Sequence, residues 1–566
     1  MNFTSHFRSL RTAALLLASA LTATAALEHK IERIIGPTSA YRGYSVWFSL
    51  DMAWWNLFDI TSIDPATDTI TVPGHTFVNG DIVRMFNDTG TLPAVMHPER
   101  NYVVCNVTPT TIQIAPLTCS IVLDFTDSGT GISKIGPRLR LSTHLPSYLM
   151  NITGLPGMTM AQVSCGVADC IFASGGYYGG FAAQRYWVRF DISPTATLGS
   201  GTISMTLRLS GFPDRILTAP FTIKDLTPLA FTPPTTFPAI PNKNVWESSM
   251  LSIGAKWCAK STGTTDPQSW GFEGGVWYYD GAWVYHQIAD YTGDEQWRNC
   301  SKSLMNFYKD RIVLTNGALQ AWRTFTDGMK RSCSSCDGSL KAMLLRVAEN
   351  MAYASTAGDT RDDLMRETSY LLEAQVNAAR ANGYRSFADL PTTGTYGRLR
   401  TRMQRAADQL LGQYDQIHAN TFIYQQTFMI GLSMKALISY YEFSQDPRVP
   451  RELKTMLDYL WTRAWDPAIN GYYYNVEPAL PGGTNSPRCE VNCYPFSNTE
   501  LNNLVGPGNG WMWRFTGDDN YRTRGDLSFS NALNTDISYS GKIFSQNYRW
   551  TFDYVNWREG RARRLP

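Results

Sequence analysis

The chain carries two kinds of hydrophobic periodicity, one in each half. In the first half, apolar and polar residues alternate along short runs such as 186–192, which predicts strands with one buried face. From residue 245 onward, apolar residues return every three or four positions, as at Trp297, Leu304 and Phe307. That spacing places them in one stripe along a helix. The pattern therefore predicts β structure followed by a helical region.

The helical period appears in a series of separate segments. These segments are 245–259, 275–292, 294–310, 338–356, 360–383, 398–418, 422–443, 448–465, 498–516, 520–534 and 542–558. Most have a single apolar stripe, but 276–289 is apolar on every side of its axis. A helix of this kind is expected to be buried by neighbours all round, with 294–310 as its outer partner.

One turn sequence occurs four times between these segments. The four copies are Tyr291-Thr292-Gly293-Asp294, Ser355-Thr356-Ala357-Gly358-Asp359, Phe443-Ser444-Gln445-Asp446 and Phe515-Thr516-Gly517-Asp518. Gly or Gln stands where a helix ends in the left-handed conformation, and Asp stands where the next helix needs an N-cap. The repeat therefore predicts helical hairpins, at irregular intervals of roughly 65 to 90 residues.

About six hairpins of inner helix, tight turn and outer helix resemble the (α/α) toroid of the six-hairpin glycosidase and polysaccharide lyase superfamilies. The resemblance covers about residues 245–560, within a predicted toroid domain of 245–566, and depends on turns such as 292–294 and 516–518. It implies a toroid that acts on carbohydrate, but it brings no family-specific catalytic residue. Eleven segments is an odd number, so either a short helix lies within 384–397 or one boundary is misplaced.

The β region predicts an antiparallel β-sandwich, Ig-like, made from 26–61 and 136–225. Residues 62–135 form a separate β pattern inside it, with turns at Pro73-Gly74 and within 127–131. This insert resembles a small β module of phage tail and bacterial surface proteins, which implies an accessory or spacer role. The fold class is thus multidomain, a β-sandwich with an inserted β module and an all-α toroid.

Between the two regions, residues 226–244 are rich in proline. Proline at this density prevents a helix and favours a stiff, extended connector.

The first 25 residues have the features of a secretory signal peptide. Arg8 and Arg11 precede the apolar run 12–18, and Ala23 and Ala25 provide small residues for cleavage. No later run approaches the length of a membrane span. We therefore expect a soluble protein that is secreted, periplasmic or extracellular.

The ten cysteines agree with export, because they fall into neighbouring pairs. The simplest disulfide pairing is Cys105/Cys119, Cys165/Cys170, Cys258/Cys300, Cys333/Cys336 and Cys489/Cys493. A four-thiolate zinc site built from the last two pairs is the alternative. Disulfides are preferred, so no metal and no cofactor is expected.

Charge and composition restrict the partners. A net charge of +2 gives no reason to expect nucleic acid as a partner. The content of 17 Trp, 29 Tyr and 26 Phe is high, and it suggests either large cores or a cleft in which rings stack on sugars. Sequences for a phosphate-binding loop, a Gly-x-Ser-x-Gly elbow or a His-Glu-x-x-His zinc site are not found.

In a toroid, long connections would share the rim opposite the tight turns, and 261–274, 311–337, 384–397 and 466–498 are the long connections. Hydrolysis of a glycosidic bond needs a carboxylic acid and a carboxylate. Asp280, expected in the first turn of the inner helix, is the preferred acid, with Glu273, Asp327 or Glu477 as its partner. The alternative for Asp280 is a helix N-terminal acid stabilised by the helix dipole.

Elimination from a uronate would use a Tyr or His base instead. Tyr279 and His286 are the candidates, although His286 is four residues before Asp290 and can form a structural pair with it. The candidate substrate-binding residues are Trp270, Trp322, Arg323, Tyr424, Gln425, Tyr473 and Trp511. For Trp511, packing in the core is the alternative.

These features predict an exported carbohydrate-active enzyme whose partner is a polysaccharide or oligosaccharide. Glycoside hydrolysis is preferred over lyase chemistry, because acids and rings outnumber histidines in the long connections. The alternative is a non-catalytic glycan-binding protein at a cell surface or on a virion. The oligomeric state and the particular sugar are left open.

Overall fold

A computed structural model describes the chain in thirteen ranges. They are residues 26–96, 101–116, 118–137, 149–164, 172–173, 183–208, 215–262, 275–313, 324–332, 338–354, 364–420, 425–476 and 497–562. The N-terminal part of these residues is rich in strands, and the C-terminal part is helical. None of the described helices has the length and apolar character of a membrane-spanning segment.

The described residues belong to two compact units. The first takes them from Met1–Ile35, Leu50–Pro146 and Phe172–Arg185, and the second from Gly36–Ser49, Ser147–Ile171 and Tyr186–Pro566. The predicted insert, 62–135, lies within the first unit. The predicted limits of the sandwich, the linker and the toroid stay predictions.

Fifteen strands are described before the helical region. They are β1 Ala26–Ile35, β2 Ser39–Tyr41, β3 Ser45–Asp59, β4 Ser62–Asp64, β5 Thr69–Thr71, β6 Ile82–Asn87, β7 Tyr102–Cys105, β8 Thr111–Ala115, β9 Ser133–Gly136, β10 Leu149–Thr153, β11 Met158–Ser164, β12 Phe172–Ala173, β13 Ala183–Ile192, β14 Gly199–Arg208 and β15 Arg215–Lys224.

In the first unit, strands pair antiparallel in the order β3-β9-β6-β7-β8-β5-β4. Alternate residues point inward, so Ile70 and Ile112 are fully buried while their strand neighbours are partly exposed. They belong to one apolar core together with Val83 and Ile135. The predicted disulfide between Cys105 and Cys119 is present in this unit.

In the second unit, β10, β14 and β15 pair antiparallel, and β2 joins β15 in parallel, with Ser39 opposite Thr222. Strands β11 and β13 pair separately. Phe48 contacts Phe190 of β13 and Phe221 of β15, so rings from both groups of strands meet in one core. This is the layered packing expected of two sheets.

The helical region has thirteen described α-helices and five short described strands. The helices are α1 Lys243–Thr262, α2 Gly281–Thr292, α3 Gln296–Phe307, α4 Asp327–Ser332, α5 Gly338–Ala354, α6 Leu364–Ala381, α7 Gly394–His418, α8 Thr427–Ser444, α9 Arg448–Arg463, α10 Asn502–Thr516, α11 Asp519–Ala532, α12 Gly541–Tyr548 and α13 Thr551–Arg558. Strand β16 Gln425–Gln426 precedes α8, and the strands between α9 and α10 are β17 Trp465–Asp466, β18 Gly471–Tyr473, β19 Asn475–Val476 and β20 Ser497–Asn498. A π-helix Tyr308–Val313 and 3-10 helices Phe387–Asp389 and Thr499–Leu501 complete the list.

Three of the four predicted hairpin turns lie in the described chain, and all three have the predicted geometry. Gly293, Gln445 and Gly517 adopt left-handed φ angles of 74°, 57° and 70°. In each turn the aspartate side chain accepts a hydrogen bond from the backbone N–H two residues later, at 2.9 or 3.0 Å. Side chains thus cap the helices that follow. The fourth turn, 355–359, lies outside the described residues.

Two of the predicted helix boundaries need correction. The connection predicted at 311–337 contains α4, which supplies the helix missing from the odd count. Stretch 384–397 also holds a 3-10 helix, Phe387–Asp389, and the last predicted segment is divided into α12 and α13. Periodicity could not reveal α4, because six residues make fewer than two turns.

Seven helices form a series of neighbours that returns to its start. Helix α2 contacts α4, α4 contacts α6, α6 contacts α8, α8 contacts α10, α10 contacts α13, α13 contacts α12, and α12 contacts α2. Helix α8 is buried continuously from Thr427 to Tyr440, whereas α9 buries one face. The Cys258–Cys300 disulfide, which the sequence predicted, joins α1 to α3.

The proline-rich segment before α1 packs along the helical region. The backbone N–H of Thr232 donates to the carbonyl oxygen of Phe515 at 2.8 Å, and Phe231 contacts the Phe515 ring. Further along, Phe237 packs edge-on against Trp513. Residues 225–240 form neither helix nor strand, and these contacts hold the segment in place.

Candidate site: a buried charge cluster among the helices

Asp280 lies immediately before α2 and caps it. Its φ of 62° is left-handed, and its carboxylate accepts hydrogen bonds from the backbone N–H groups of Trp283, at 3.3 Å, and Gly328, at 3.0 Å. The residue is 4% exposed. The sequence predicted Asp280 in the first turn of this helix. In the structure Asp280 lies just before the helix, at the capping position. It is therefore a helix-capping acid and a buried carboxyl group at once.

Asp327 is the first residue of α4 and is 2% exposed. Its Oδ2 lies 2.5 Å from Lys435 Nζ, and its Oδ1 accepts a hydrogen bond from Asn377 Nδ2 at 2.8 Å. The sequence placed Asp327 in a long surface connection. That placement was wrong, because the residue belongs to a helix and to a buried ion pair.

Glu373, Lys435 and Arg549 complete the group. Lys435 Nζ lies 2.6 Å from Glu373 Oε1, and Arg549 Nη2 lies 2.5 Å from Glu373 Oε2 and 3.9 Å from Asp327 Oδ2. All three side chains are buried. We call Asp280, Asp327, Glu373, Lys435 and Arg549 the central charge cluster.

Aromatic rings surround the guanidinium group of the cluster. The Arg549 Cζ atom lies 5.4 Å from the centroid of the Phe325 ring and 5.5 Å from that of Tyr370. Phe325 in turn contacts Tyr278 and Tyr279, which precede Asp280. These rings exclude water and hold the guanidinium plane in one orientation.

The sequence analysis missed Glu373, Lys435 and Arg549. A usable signal was present for Lys435, because it is the one charged residue in the apolar run 428–438. A charge in such a run requires a buried partner. The partners themselves are distant in the chain, so the pairing required the structure.

The two aspartates of the cluster are held in different electrostatic surroundings. Burial, followed by the neighbouring charge of Asp327, raises the pKa of Asp280 to about 6, against the opposing effect of Arg549. Asp327, by contrast, lies against the ammonium group of Lys435. One carboxyl group thus has a raised pKa, and the other has a cation as its direct partner.

His286 lies elsewhere on α2. Its Nε2 is 3.4 Å from Ser332 Oγ, and burial, followed by Arg331 and Arg298, lowers its pKa to about 4. It is therefore neutral at pH 7. Asp290, which the sequence paired with His286, receives hydrogen bonds from Arg298 at 2.8 Å and from Arg331 at 3.2 Å.

The remaining described candidates are Tyr279, Gln425, Trp511 and Tyr473. Tyr279 is buried beside Asp280 with a left-handed φ of 59°. Gln425 is buried in β16, and Trp511 packs against Tyr441 and Phe515, as its core alternative anticipated. Tyr473 is partly exposed in β18.

Several candidates lie outside the described residues. They are Glu273, Glu477, Trp270, Trp322, Arg323 and Tyr424, together with Cys165, Cys170, Cys333, Cys336, Cys489 and Cys493. The zinc alternative falls on four of these cysteines. Among the described residues, no group of His, Cys, Asp and Glu side chains is arranged to hold a metal ion.

No family model matches the sequence, and none of the curated proteins does. Solved structures with some similarity include a D-mannose isomerase, 11% identical over 57% of this chain and 100% of that chain, with a TM-score of 0.35. A family 76 glycoside hydrolase from a bovine Bacteroides thetaiotaomicron strain is 11% identical over 69% of this chain and 73% of that chain, at a TM-score of 0.27. A mutant Salmonella alpha-2-macroglobulin is 10% identical over 93% of this chain and 36% of that chain, with a TM-score of 0.21. Similarities this low carry no argument about this chain.

Proposed function

We propose that this chain is an exported carbohydrate-active enzyme that hydrolyses glycosidic bonds, with the central charge cluster as its active centre. The proposed scaffold is an (α/α) toroid of six hairpins. The closed series of contacts from α2 through α13 and α12, and the three capped turns, support this architecture. The two disulfides support export.

The observation that carries the proposal is the pair of aspartates with opposite electrostatic settings. A glycosidase needs one carboxylic acid to protonate the leaving oxygen and one carboxylate to activate water or attack the sugar. Asp280, with its pKa raised to about 6, is assigned as the acid. Asp327, paired with Lys435, is assigned as the carboxylate.

Hydrolysis is favoured over elimination because the candidate histidine base is poorly placed. Asp327 begins α4, whereas Ser332, the neighbour of His286, ends it. Five residues of helix separate the two positions by about 7 Å along the axis. For lyase chemistry, the cluster therefore offers two carboxyl groups but no neighbouring histidine. Tyr279 is then the candidate base.

The test is an incubation of the purified protein with a panel of polysaccharides. New reducing ends without a rise in absorbance near 235 nm are expected, and Asp280→Asn and Asp327→Asn should each lower the rate at least about 100-fold. Asp526→Asn is the matched control, because Asp526 is also buried and paired with an arginine, Arg558, outside the cluster. Its rate per folded molecule should stay within a factor of two or so. A rise near 235 nm would instead indicate an unsaturated uronate and lyase chemistry.

The second candidate is a non-catalytic glycan-binding protein at a surface or on a virion. The near-complete burial of Asp280 and Asp327 favours it, because a sugar must displace covering side chains to reach them. It predicts saturable glycan binding without turnover. That binding should be unchanged in Asp280→Asn and Glu273→Gln.

A further inference from the structure

Two side chains beside Asp327 have buried polar atoms with no hydrogen-bond partner. Arg549 donates a hydrogen bond through Nη2 to Glu373, but its Nε and Nη1 donate to no described acceptor. Asn377 donates through Nδ2 to Thr326 Oγ1 and to Asp327, yet its Oδ1 accepts nothing. Arg549 and Asn377 are 0% and 1% exposed. Buried polar atoms usually have a hydrogen-bond partner, so these atoms are available to a polar guest.

The two side chains that carry these unpaired atoms both lie beside the carboxylate of Asp327. Asn377 Nδ2 is 2.8 Å from Asp327 Oδ1, and Arg549 Nη2 is 3.9 Å from Asp327 Oδ2. One side chain offers N–H donors and the other offers a carbonyl acceptor. A hydroxyl group matches this pair, because it accepts through its lone pairs and donates its proton.

The charge of the cluster selects a neutral guest. Asp327 and Glu373 balance Lys435 and Arg549 when Asp280 holds its proton. Asp553 is a further buried carboxyl group. It lies in α13, four residues after Arg549. A carboxylate guest would bring an additional uncompensated negative charge into this interior, at a cost of several kcal/mol.

We infer that Arg549 and Asn377 form a subsite for a hydroxyl group of a neutral sugar, next to Asp327. The inference rests on the proposed function and extends it to a substrate class, neutral glycans and not uronate polymers. Phe325 and Tyr370 fix the guanidinium plane of Arg549, so its free donors are oriented before the sugar arrives. The bound hydroxyl holds the sugar beside the carboxylate that is assigned to act on it.

The experiment measures binding without turnover. Calorimetry on the Asp280→Asn protein is carried out with the neutral probes cellohexaose, xylohexaose, mannohexaose and maltohexaose, and with the acidic probe hexagalacturonate. At least one neutral probe should bind and the acidic probe should not. Adding Arg549→Lys should weaken neutral binding about tenfold or more, since lysine cannot reproduce the Nε and Nη1 donors. Asn377→Ala, a milder change, should weaken it severalfold.

A matched control separates binding from folding. Arg558→Lys also alters a fully buried arginine, one that makes two hydrogen bonds to Asp526 away from the cluster. It should lower the melting temperature by a similar amount and leave the sugar affinity unchanged. If the Arg549→Lys and Asn377→Ala changes leave the sugar affinity equal to that of the parent Asp280→Asn protein, the inference is overturned. The unpaired atoms then bind only water. Tighter binding of hexagalacturonate, or no binding of any neutral probe, would also overturn it.

The two proposals fail in different ways. A wild-type protein that binds a neutral sugar through Arg549 but releases no reducing ends contradicts the proposed hydrolysis and leaves the subsite standing. A protein that cleaves glycans with the same affinity in the Arg549→Lys and Asn377→Ala forms supports hydrolysis and contradicts the subsite.

Discussion

Asp280 couples protonation to folding because its pKa differs between the folded and unfolded chain. The folded value is about 6 and the ordinary value is 3.8, so between these limits the folded state binds a proton that the unfolded state releases. The free energy of unfolding must therefore fall as pH rises from about 4 to 6, by up to a few kcal/mol.

Asp280→Asn should remove part of this fall, which urea unfolding from pH 4 to pH 7 would measure. Asp408→Asn is the parallel variant, because burial also raises the pKa of Asp408 to about 6 and its effect has the same sign. Each single variant should flatten the pH dependence in part, and the double variant should flatten it further. A slope in Asp280→Asn equal to that of the wild type would show that this carboxyl group ionises normally.

Lys435 neutralises two buried carboxylates at once. Lys435→Met keeps the length of the side chain but leaves Asp327 and Glu373 without their shared cation. We expect the free energy of unfolding to fall by about 3–5 kcal/mol, as for other broken buried ion pairs.

Adding Glu373→Gln to Lys435→Met should restore part of the loss, because one uncompensated charge is then removed. Chemical denaturation of the single and double variants measures both effects. If the double variant is less stable than Lys435→Met, Arg549 alone compensates the charge of Glu373. Removing that charge then gives no increase in the free energy of unfolding.

Among individual residues, the sequence singled out Asp280 and Asp327 as candidate acids. It did not reveal the residues that surround them. Asp280 was accessible because it stands at the start of an apolar helix, a position that favours a capping acid. The partners of Lys435 are 108 and 62 residues away in the chain, and the partner of Arg549 is 176 residues away. Local periodicity carries no information on contacts of that range.

Among the elements, the approach of α8 to α10 depends on a glycine. A Cβ atom at Gly431 would overlap the carbonyl oxygen of Leu504, so the two helices cannot lie this close with any other residue there. Gly431→Ala should therefore be destabilising, by about 1–3 kcal/mol, although alanine favours a helix.

Gly412 in α7 is the matched control for Gly431. A Cβ atom there would meet Pro37 at 3.5 Å, an ordinary van der Waals contact. Gly412→Ala should be neutral or stabilising by up to about 1 kcal/mol. Thermal unfolding of the two variants gives the comparison, and equal melting temperatures would contradict the close approach of α8 and α10.

The elements themselves were largely predictable. Most helices begin and end within a few residues of the segments read from periodicity, and the aspartate-capped turns were found from their sequence. Helix α4 was missed because it is short and its residue types have no repeated stripe. Since Asp327 begins this helix, the same omission placed a buried charge in a surface loop.

In the second unit as a whole, the edge strand β2 is attached to α7 through one carboxylate. Asp415 accepts hydrogen bonds from the N–H groups of Thr38 and Ser39, at 2.6 and 3.0 Å, and from both hydroxyl groups. Lys224 of β15 lies 3.6 Å from the same carboxylate. Ser39, Lys224 and Asp415 line a small cleft between the strands and the helices.

Asp415→Ala should loosen this attachment, because it leaves four donors without their acceptor. We expect faster amide exchange at residues 38–41 and 222–224 and a stability loss of about 2–4 kcal/mol. Asp225→Ala is the control at the same edge, since its ion pair with Arg42 is exposed and such pairs contribute little. Unchanged exchange in the Asp415→Ala protein would mean that β2 is held by its strand pairing alone.

The parallel pairing of β2 with β15 also bears on how the chain is made. Ser39 leaves the ribosome early, but its partner strand is absent until Thr222 has been synthesised, and two segments of the first unit, Leu50–Pro146 and Phe172–Arg185, are translated in the interval. The nascent chain thus carries an unsatisfied strand edge while other parts fold, and such edges invite wrong pairing. We expect the closing of this sheet to be among the slow steps of biogenesis, and a chaperone that shields residues 38–41 would raise the yield of folded protein.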